Sequence, residues 1–437
     1  MPGLSLSQDQ SKALEEILND KWDTDCYLVW GAAGTGKSTL VRELAKAKPG
    51  KVLVCAFTGI AAENVGGTTI HRLIGIGIHP LPYRDNSQIP LLDADRREVL
   101  RKAELIVVDE ISMVRVDLMD ALDWSLRRNL NQEDKPFGGK KVVLVGDLLQ
   151  LGPVVTQDDR HVLALWEGHM FFNAKVWDEA ELNSLPLIQV HRQTEDPKFA
   201  ECLGKLRAEG GVTEAVEWLG QHLKVTVEDD NKVVLCPKNS DASQINEQRL
   251  RQLPGDPKIY QAYVQGDFKD KRTLEQLHLK VGARVVVVAN DSEASRRYVN
   301  GTVGRVTRLM EGQVEIEKED GGRIALAPHT WKEFEPRVND ETGLIEYVAV
   351  AKFTQIPLKL AWAITIHKSQ GLSLNAAHLV PSTGFFASGH AYVALSRVRS
   401  IKGLTSDRRL GPGDFYWDPS LRDYLQQLES EVPSLNS

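Results

Sequence analysis

The chain has 437 residues, of which 42% are hydrophobic and 26% charged, values that exclude a disordered or collagen-like polymer and leave room for about two to four domains. The formal charge of −7, from 53 basic and 60 acidic side chains, excludes an all-over basic coat but not a local basic groove, because net charge averages over the surface that matters. The four cysteines (Cys26, Cys55, Cys202, Cys236) form no CxxC pair, the polar N-terminus has no signal-like apolar core, and no run reaches the roughly 18 apolar residues of a membrane span; the expected setting is a reducing cytoplasm with no membrane partner.

Short, β-branched apolar runs at residues 26–30, 52–56, 105–108 and 141–145 read as buried strands. Helical patterns at 38–47, 93–102 and 116–129 alternate with them, which predicts a parallel sheet covered by helices. This first αβ domain takes residues 1–73 and 93–186. Between them, residues 74–92 carry Pro80, Pro82 and Pro90 and read as a loop or small irregular insertion.

The second half opens with helices at 199–209, 213–222 and 241–253 and a strand at 232–236. From 277 to 353 the texture changes to short strands separated by Asn-Gly, Glu-Gly and Gly-Gly turns, which predicts a small antiparallel β-barrel. The αβ pattern then resumes, with strands at 358–365 and 377–380 and a helix at 389–398. The fold class is therefore α/β: two parallel-sheet domains, the second at 187–276 and 354–437, with the barrel inserted in it. The tail after Pro433 reads as frayed.

GAAGTGKST, residues 31–39, follows an apolar strand and opens a helix. In that context Gly31, Gly34, Thr35, Gly36 and Thr39 form a loop whose backbone N–H groups cradle phosphates, Lys37 reaches the β- and γ-phosphates, and Ser38 offers its hydroxyl to Mg²⁺. A Gly-rich turn that binds nothing is the plainer alternative, and the strand–loop–helix setting speaks against it. LIVVDE, residues 105–110, ends an apolar strand in two carboxylates: Asp109 suits Mg²⁺, and Glu110 suits the attacking water. VVLVGDLLQLGPV is a further strand ending in a polar turn, with Gln150 available to sense a γ-phosphate. Arg192 in QVHRQ and Arg397 in YVALSRVR are candidate arginine fingers, although a lone arginine is usually a surface ion pair.

In order, the chain carries GAAGTGKST, AFTGIAAENVGGTTIH, DEISMV, GDLLQLGPV, HRQ, TIHKSQGLSL and YVALSRV. In these motifs it resembles the superfamily-one, type B DNA helicases, and most closely the Pif-type helicases (named for petite integration frequency), a sister group of RecD-like enzymes. It departs from that pattern at Arg115, where an acidic residue is usual, and at Gly152, where proline is common. The resemblance implies two RecA-like domains with ATP and Mg²⁺ between them and a barrel of the Src-homology-three type. It implies 5′→3′ movement on single-stranded DNA by a monomer, with duplex, forked or G-quadruplex DNA as partners. It further implies that Gln10 reads adenine and that Gly371 joins the nucleotide set. Thr58, Gly59, Thr69 and His71 in the first domain, with Thr365, His367 and Lys368 in the second, would contact the single strand. Residues 74–92 occupy the place of the wedge that splits the duplex, with Tyr83 as their aromatic. Two other readings stay open: an RNA-directed translocase, and a P-loop kinase or ATPase switch indifferent to nucleic acid.

Overall fold

The computed structural model describes the chain except residues 1–5, 20–25, 158, 190–195, 209, 228–231, 269–270, 272, 292–296, 371, 373, 382–383 and 431–437. Arg192, Gly371 and the end beyond Pro433 thus lie outside the described residues. The chain forms two compact units: Met1–Arg192 with Glu333–Ala349 and Trp417–Ser437, and Gln193–Lys332 with Val350–Tyr416.

The first unit is built on strands β1 (Cys26–Gly31), β2 (Val52–Ala56), β3 (Thr68–Thr69), β4 (Leu105–Asp109), β5 (Lys141–Gly146) and β6 (Leu182–Leu187). They form one parallel sheet in the order β3-β2-β4-β5-β1-β6. Every residue of β1, β2 and β4 is buried, which is why these runs are continuously apolar rather than alternating. The helices are α1 (Gln8–Leu18), α2 (Lys37–Ala47), α3 (Gly59–Val65), α4 (Ile70–Ile74), α5 (Ala94–Lys102) and α6 (Val116–Leu130). Ala13 and Ile17 of α1 and Leu40, Val41 and Leu44 of α2 pack on Val29, Val107 and Val143 of the sheet. At roughly 1.5–3 kcal/mol for each large aliphatic side chain buried, this seam holds both helices to the strands that carry the phosphate loop.

Helix α6 organises the irregular parts of the unit. Its buried Asp117, Asp120 and Asp123 are spaced three apart and so share one stripe. Each accepts the main-chain N–H of a different segment: Asp117 from Leu81 at 2.8 Å, Asp120 from Lys175 and Val176 at 3.0 Å, and Asp123 from Phe137 at 2.6 Å. Asn129 adds Leu92 at 2.8 Å. Buried N–H groups outside regular structure need such acceptors. The proline-rich segment 74–92 is accordingly a strap fastened to α6 at Leu81 and Leu92.

The second unit and its insertion contain β7 (Lys224–Val225), β8 (Val233–Cys236), β9 (Lys258–Gln261), β10 (Tyr263–Gln265), β11 (Gln276–Leu279), β12 (Arg284–Val287), β13 (Val303–Met310) and β14 (Gln313–Lys318). They continue as β15 (Arg323–Leu326), β16 (His329–Val338), β17 (Ile345–Gln355), β18 (Leu358–Leu360), β19 (Ala363–Thr365), β20 (Ala377–Leu379) and β21 (Leu404–Ser406). A parallel sheet runs β19-β8-β20-β21-β7, and an antiparallel one runs β15-β14-β13-β12-β18. The latter closes on the β9–β11 pair around Leu277, Val285, Val306, Ile316 and Leu358.

Three expectations shift. The antiparallel region spans Lys258 to Leu360, wider than 277–353, because β9 and β18 complete its pairing. Residues 358–365 are two strands rather than one: Leu358–Leu360 pairs antiparallel with β12, and Ala363–Thr365 pairs parallel with β8, so the chain changes sheets at the buried Ala361 and Trp362. Finally, residues from Trp417 onward and the outer halves of β16 and β17 belong to the first unit. There the helix Pro419–Ser430 buries Leu421, Leu425 and Leu428, a helical-period stripe, and Tyr424 stacks on Phe172 at 4.2 Å.

Candidate nucleotide and single-strand sites

The phosphate loop leaves β1 and enters α2. Gly34 and Gly36 sit at φ 89° and 80°, a left-handed backbone that glycine adopts without cost. Gly31 answers a different demand, since a Cβ there would lie 2.3 Å from the Leu187 carbonyl oxygen of β6. Lys37 Nζ donates to the carbonyls of Gly31 at 3.0 Å and Ala32 at 2.8 Å, and Thr35 Oγ1 donates to Ala32 at 3.0 Å. Thr39 N–H caps back to Gly36 at 2.9 Å, and Ser38 is exposed at the first turn of α2.

Gln10 braces this loop. Its Nε2 donates to the Thr35 carbonyl at 3.0 Å, and its Oε1 accepts from Ser7 N–H at 2.9 Å. Its neighbour Asp9 accepts from the N–H groups of Ile188 and Gln189 at 2.8 and 3.0 Å, fixing the chain as it leaves β6. Reading the sequence missed this role of Asp9 and Ser7. The signal available was Ser7-x-x-Gln10, a capping-box spacing at a helix start.

Asp109 ends β4, buried, and its Oδ1 accepts the Glu110 N–H at 2.9 Å. Burial raises its carboxyl pKa, while that N–H and the charges of Lys37 and Arg42 pull it down. Lys37, just past the C-terminal end of β1, and Asp109, at the C-terminal end of β4, stand at the same edge of one parallel sheet. Glu110 has φ 55° and ψ 46°, a left-handed conformation that costs a non-glycine residue about 1–2 kcal/mol and is typical of functional positions. Gln150 Nε2 donates to the fully buried Asp147 at 3.2 Å. A glycine-dependent turn with a cation over it, a free hydroxyl at a helix start and a buried carboxylate fit a nucleotide triphosphate and a hard divalent cation.

Arg397 is only 2% exposed. Its Nε donates to Val393 O at 2.9 Å, Nη2 to Ser396 Oγ at 2.8 Å and Nη1 to Ser369 O at 3.4 Å. It ties the helix His390–Leu395 to the His367–Ser369 turn.

The single-strand candidates gather at the C-terminal ends of parallel strands. In the first unit, Thr58 Oγ1 accepts from Ala61 N–H at 3.2 Å, and Gly59 opens α3. Thr69 Oγ1 accepts from Arg72 N–H at 3.3 Å, and His71 stands edge-on to Phe57 at 5.7 Å. In the second unit, the buried Thr365 accepts Lys368 N–H at 3.3 Å, Lys368 is exposed, and His367 is partly exposed. Within the strap, Tyr83 is packed edge-on to Trp166 at 6.3 Å, with Lys175 Nζ 4.6 Å from its ring. The exposed apolar side chain near the strap's start is Ile78, at 74%. Arg115 pairs with Asp117 at 2.5 Å. Among the described residues no helix is long and apolar enough to cross a membrane.

A family model for PIF1-like helicases matches residues 5–207. The ATP-dependent DNA helicase PIF1 of Rattus norvegicus is 35% identical, over 91% of this chain and 60% of its own length; the chain spans about 60% of the vertebrate relatives it matches. The ATP-dependent DNA helicase Pif1 of Bdellovibrio bacteriovorus is 31% identical over 98% of this chain and 93% of its own. A crystal structure of Bacteroides sp. Pif1 with ADP-AlF4 superimposes with a TM-score of 0.87 at 32% identity, covering 98% of both chains. Bacteroides Pif1 bound to single-stranded DNA gives 0.70 at the same identity and coverage. With identity above 30% across nearly all of both chains in the bacterial relative, and the same fold throughout, the chain belongs to the PIF1-like helicase family.

Proposed function

We propose that this chain is an ATP-driven DNA helicase that moves 5′→3′ along single-stranded DNA and opens duplex, forked and G-quadruplex DNA. One observation carries the reading. Asp109 of β4, Ala56 of β2 and Thr69 of β3 lie in register across three adjacent strands. At about 4.8 Å per strand spacing, the catalytic carboxylates and the strand-contact residues are ~10 Å apart on one sheet edge. A change at the nucleotide is then felt directly at the nucleic acid.

Bound ATP with Mg²⁺ supplies the chemical drive. Lys37 stabilises phosphate charge, Ser38 and Asp109 hold the cation, Glu110 accepts the proton of the attacking water, and Gln150 responds to the terminal phosphate. Arg192 and Arg397 are assigned to transition-state charge, Gly371 to the nucleotide's surroundings and Gln10 to the adenine edge. Thr58, Gly59, Thr69, His71, Thr365, His367 and Lys368 hold the DNA backbone. The strap at 74–92 is assigned to strand separation, with Tyr83 and Ile78 as its candidates. The relatives support DNA as the track, since Bacteroides Pif1 has been crystallised bound to single-stranded DNA and a Pif1 structure at 32% identity concerns unwinding at forked double-stranded DNA by two coordinating helicases. We place the protein in the cytoplasm, as a monomer when free.

The test is strand separation of 5′-tailed against 3′-tailed duplexes with ATP and Mg²⁺. Opening only the 5′-tailed substrate, with ATPase activity stimulated by DNA and not by RNA, is expected. Opening of the 3′-tailed substrate overturns the polarity, and stimulation by RNA alone favours an RNA translocase.

A further inference from the structure

Arg115 and Gly152, the two positions at which the sequence departs from the pattern it resembles, are remote in the chain and meet at one buried side chain. Arg115 forms an isolated antiparallel bridge with Met170, and the next residue, Val116, donates its N–H to the His169 carbonyl at 3.0 Å. A Cβ at Gly152 would lie 3.2 Å from Cε and 3.5 Å from Sδ of the same Met170, so glycine leaves the room that the thioether fills. The segment that follows Gln150 therefore packs against the strand-like stretch that holds Arg115.

The side chain of Arg115 makes a second connection to that segment. Its Nε and Nη2 grip the two oxygens of Asp117 at 2.5 and 2.9 Å, and its Nη1 stands 3.9 Å from Oδ2 of Asp159. That same Asp159 oxygen accepts the Thr156 N–H at 2.8 Å. On the other side, Oδ2 of Asp117 accepts the Leu81 N–H of the strap at 2.8 Å. The Asp117 side chain is only 1% exposed, and a buried carboxylate requires a counter-charge. The planar guanidinium supplies it at both oxygens, where an acidic residue at 115 would repel Asp117. Polar contacts thus run without a gap from Thr156 through Asp159, Arg115 and Asp117 to the strap.

We propose that Arg115 is a positioning residue for strand separation, which ties the segment after Gln150 to the carboxylate that fastens the strap, so that the state of the nucleotide sets how firmly the strap is held. A chain of packed and hydrogen-bonded groups is the physical means by which two sites bias one another. The inference rests on the readings of Gln150 as the group that responds to the terminal phosphate and of residues 74–92 as the separating element.

The experiment uses the full chain and two readouts. One is the number of base pairs opened per ATP hydrolysed on a 5′-tailed duplex. The other is deuterium exchange at the Leu81 amide, without nucleotide and with ADP–aluminium fluoride. In the parent, the nucleotide probe is expected to change Leu81 exchange; no change overturns the link to the nucleotide. Arg115→Ala should hydrolyse ATP with oligo-dT within about 2-fold of the parent and open about 5-fold fewer base pairs per ATP. Its Leu81 amide should exchange about 10-fold faster, the effect of a weakened hydrogen bond to a charged group. Arg115→Lys keeps the charge without the two-pronged contact and should fall between. Asp159→Asn still accepts the Thr156 N–H and leaves Arg115 on Asp117. It should keep parent exchange without nucleotide, lose the response to the probe and open fewer base pairs per ATP. A parent-like response in Asp159→Asn overturns the link even where Arg115→Ala folds too poorly to measure. Parent-like Leu81 exchange in Arg115→Ala overturns the positioning role. Faster exchange with parent-like opening per ATP sinks the reading of the strap instead. A parent-like response to the probe in Gln150→Ala sinks the reading of Gln150 and leaves the hold of Arg115 on the strap standing.

Discussion

Tyr347 and Val54, far apart in sequence, are joined twice by one hydroxyl: Tyr347 Oη accepts the Val54 N–H at 2.8 Å and donates to the Val54 carbonyl at 3.2 Å. Strand β3 pairs only with Cys55 and Ala56 of β2, so Val54 lies beyond the reach of that neighbour. The outer hairpin of β16 and β17, which belongs to the same unit, closes this stretch of edge. Its footing includes the Ile345 N–H on the Gly50 carbonyl at 3.0 Å and Glu335 paired with Arg72 and Arg96 at 3.3 and 3.0 Å.

Tyr347→Phe keeps the ring and removes the hydroxyl. Two main-chain groups of the buried Val54 lose their partner, at a cost of about 1–3 kcal/mol. Amide exchange at Val54 is expected to accelerate and the urea midpoint to fall. A variant with unchanged exchange at Val54 would show that solvent replaces the hydroxyl at no cost.

The Asp123–Arg127 pair is buried on both sides, with side chains 4% and 1% exposed and Nε 2.8 Å from Oδ2. Asp123→Ala removes the carboxylate from the guanidinium's Nε, leaving it Glu179 and the Glu133 carbonyl on Nη1, and also removes the acceptor of Phe137 N–H. A loss of roughly 3–5 kcal/mol is expected, measured by chemical denaturation. Asp123→Asn, which still accepts from Phe137, should lose less; equal losses would mean that the main-chain bond contributes nothing.

Glu110 combines a strained backbone with the proposed role of proton acceptor. Glu110→Gln should bind ATP like the parent and hydrolyse it far more slowly, since an amide is a poor base. Glu110→Gly should be equally inactive yet more stable by about 1 kcal/mol, because glycine accepts φ 55° without strain. Thermal melting and single-turnover hydrolysis check the two arms. Normal turnover in Glu110→Gln would remove the residue from the chemistry.

The depressed pKa of His390 makes stability depend on pH. The folded value, about 4, lies below the ordinary 6.5, so the unfolded chain binds the proton first as pH falls. The contribution is complete above pH 6.5 and is lost progressively between 6.5 and 4, on the order of 2–3 kcal/mol in total. His367 shifts in the same direction. Urea midpoints at pH 7, 6 and 5 should fall for the parent and fall less for His390→Gln. Identical slopes would show that His390 titrates as freely in the folded chain as in the unfolded one.

The phosphate loop and the Asp109–Glu110 end of β4 were legible from the sequence because contiguous residues dictate them. Glycines at Gly34 and Gly36 permit the left-handed turns, and an apolar strand before each motif sets its depth in the sheet. The strand ends ahead of Thr58 and at Thr365 were legible for the same reason, whereas the two-residue strand that ends at Thr69 was not. What the sequence left undecided were partnerships between side chains and distant backbone, which only packing selects. Nothing local tells Asp117, Asp120 and Asp123 to take the N–H groups of Leu81, Lys175 and Phe137 rather than face water. The pattern at 358–365 is one apolar run, and it divides only because β12 and β8 offer edges in different sheets. The packing of Tyr83, the candidate wedge aromatic, against Trp166 and the placing of His390 between His367 and Phe386 are likewise set by the fold. A hydrogen bond or ring contact acts over a few ångströms in space, so a reading along the chain finds it only where chain neighbours are also neighbours in space.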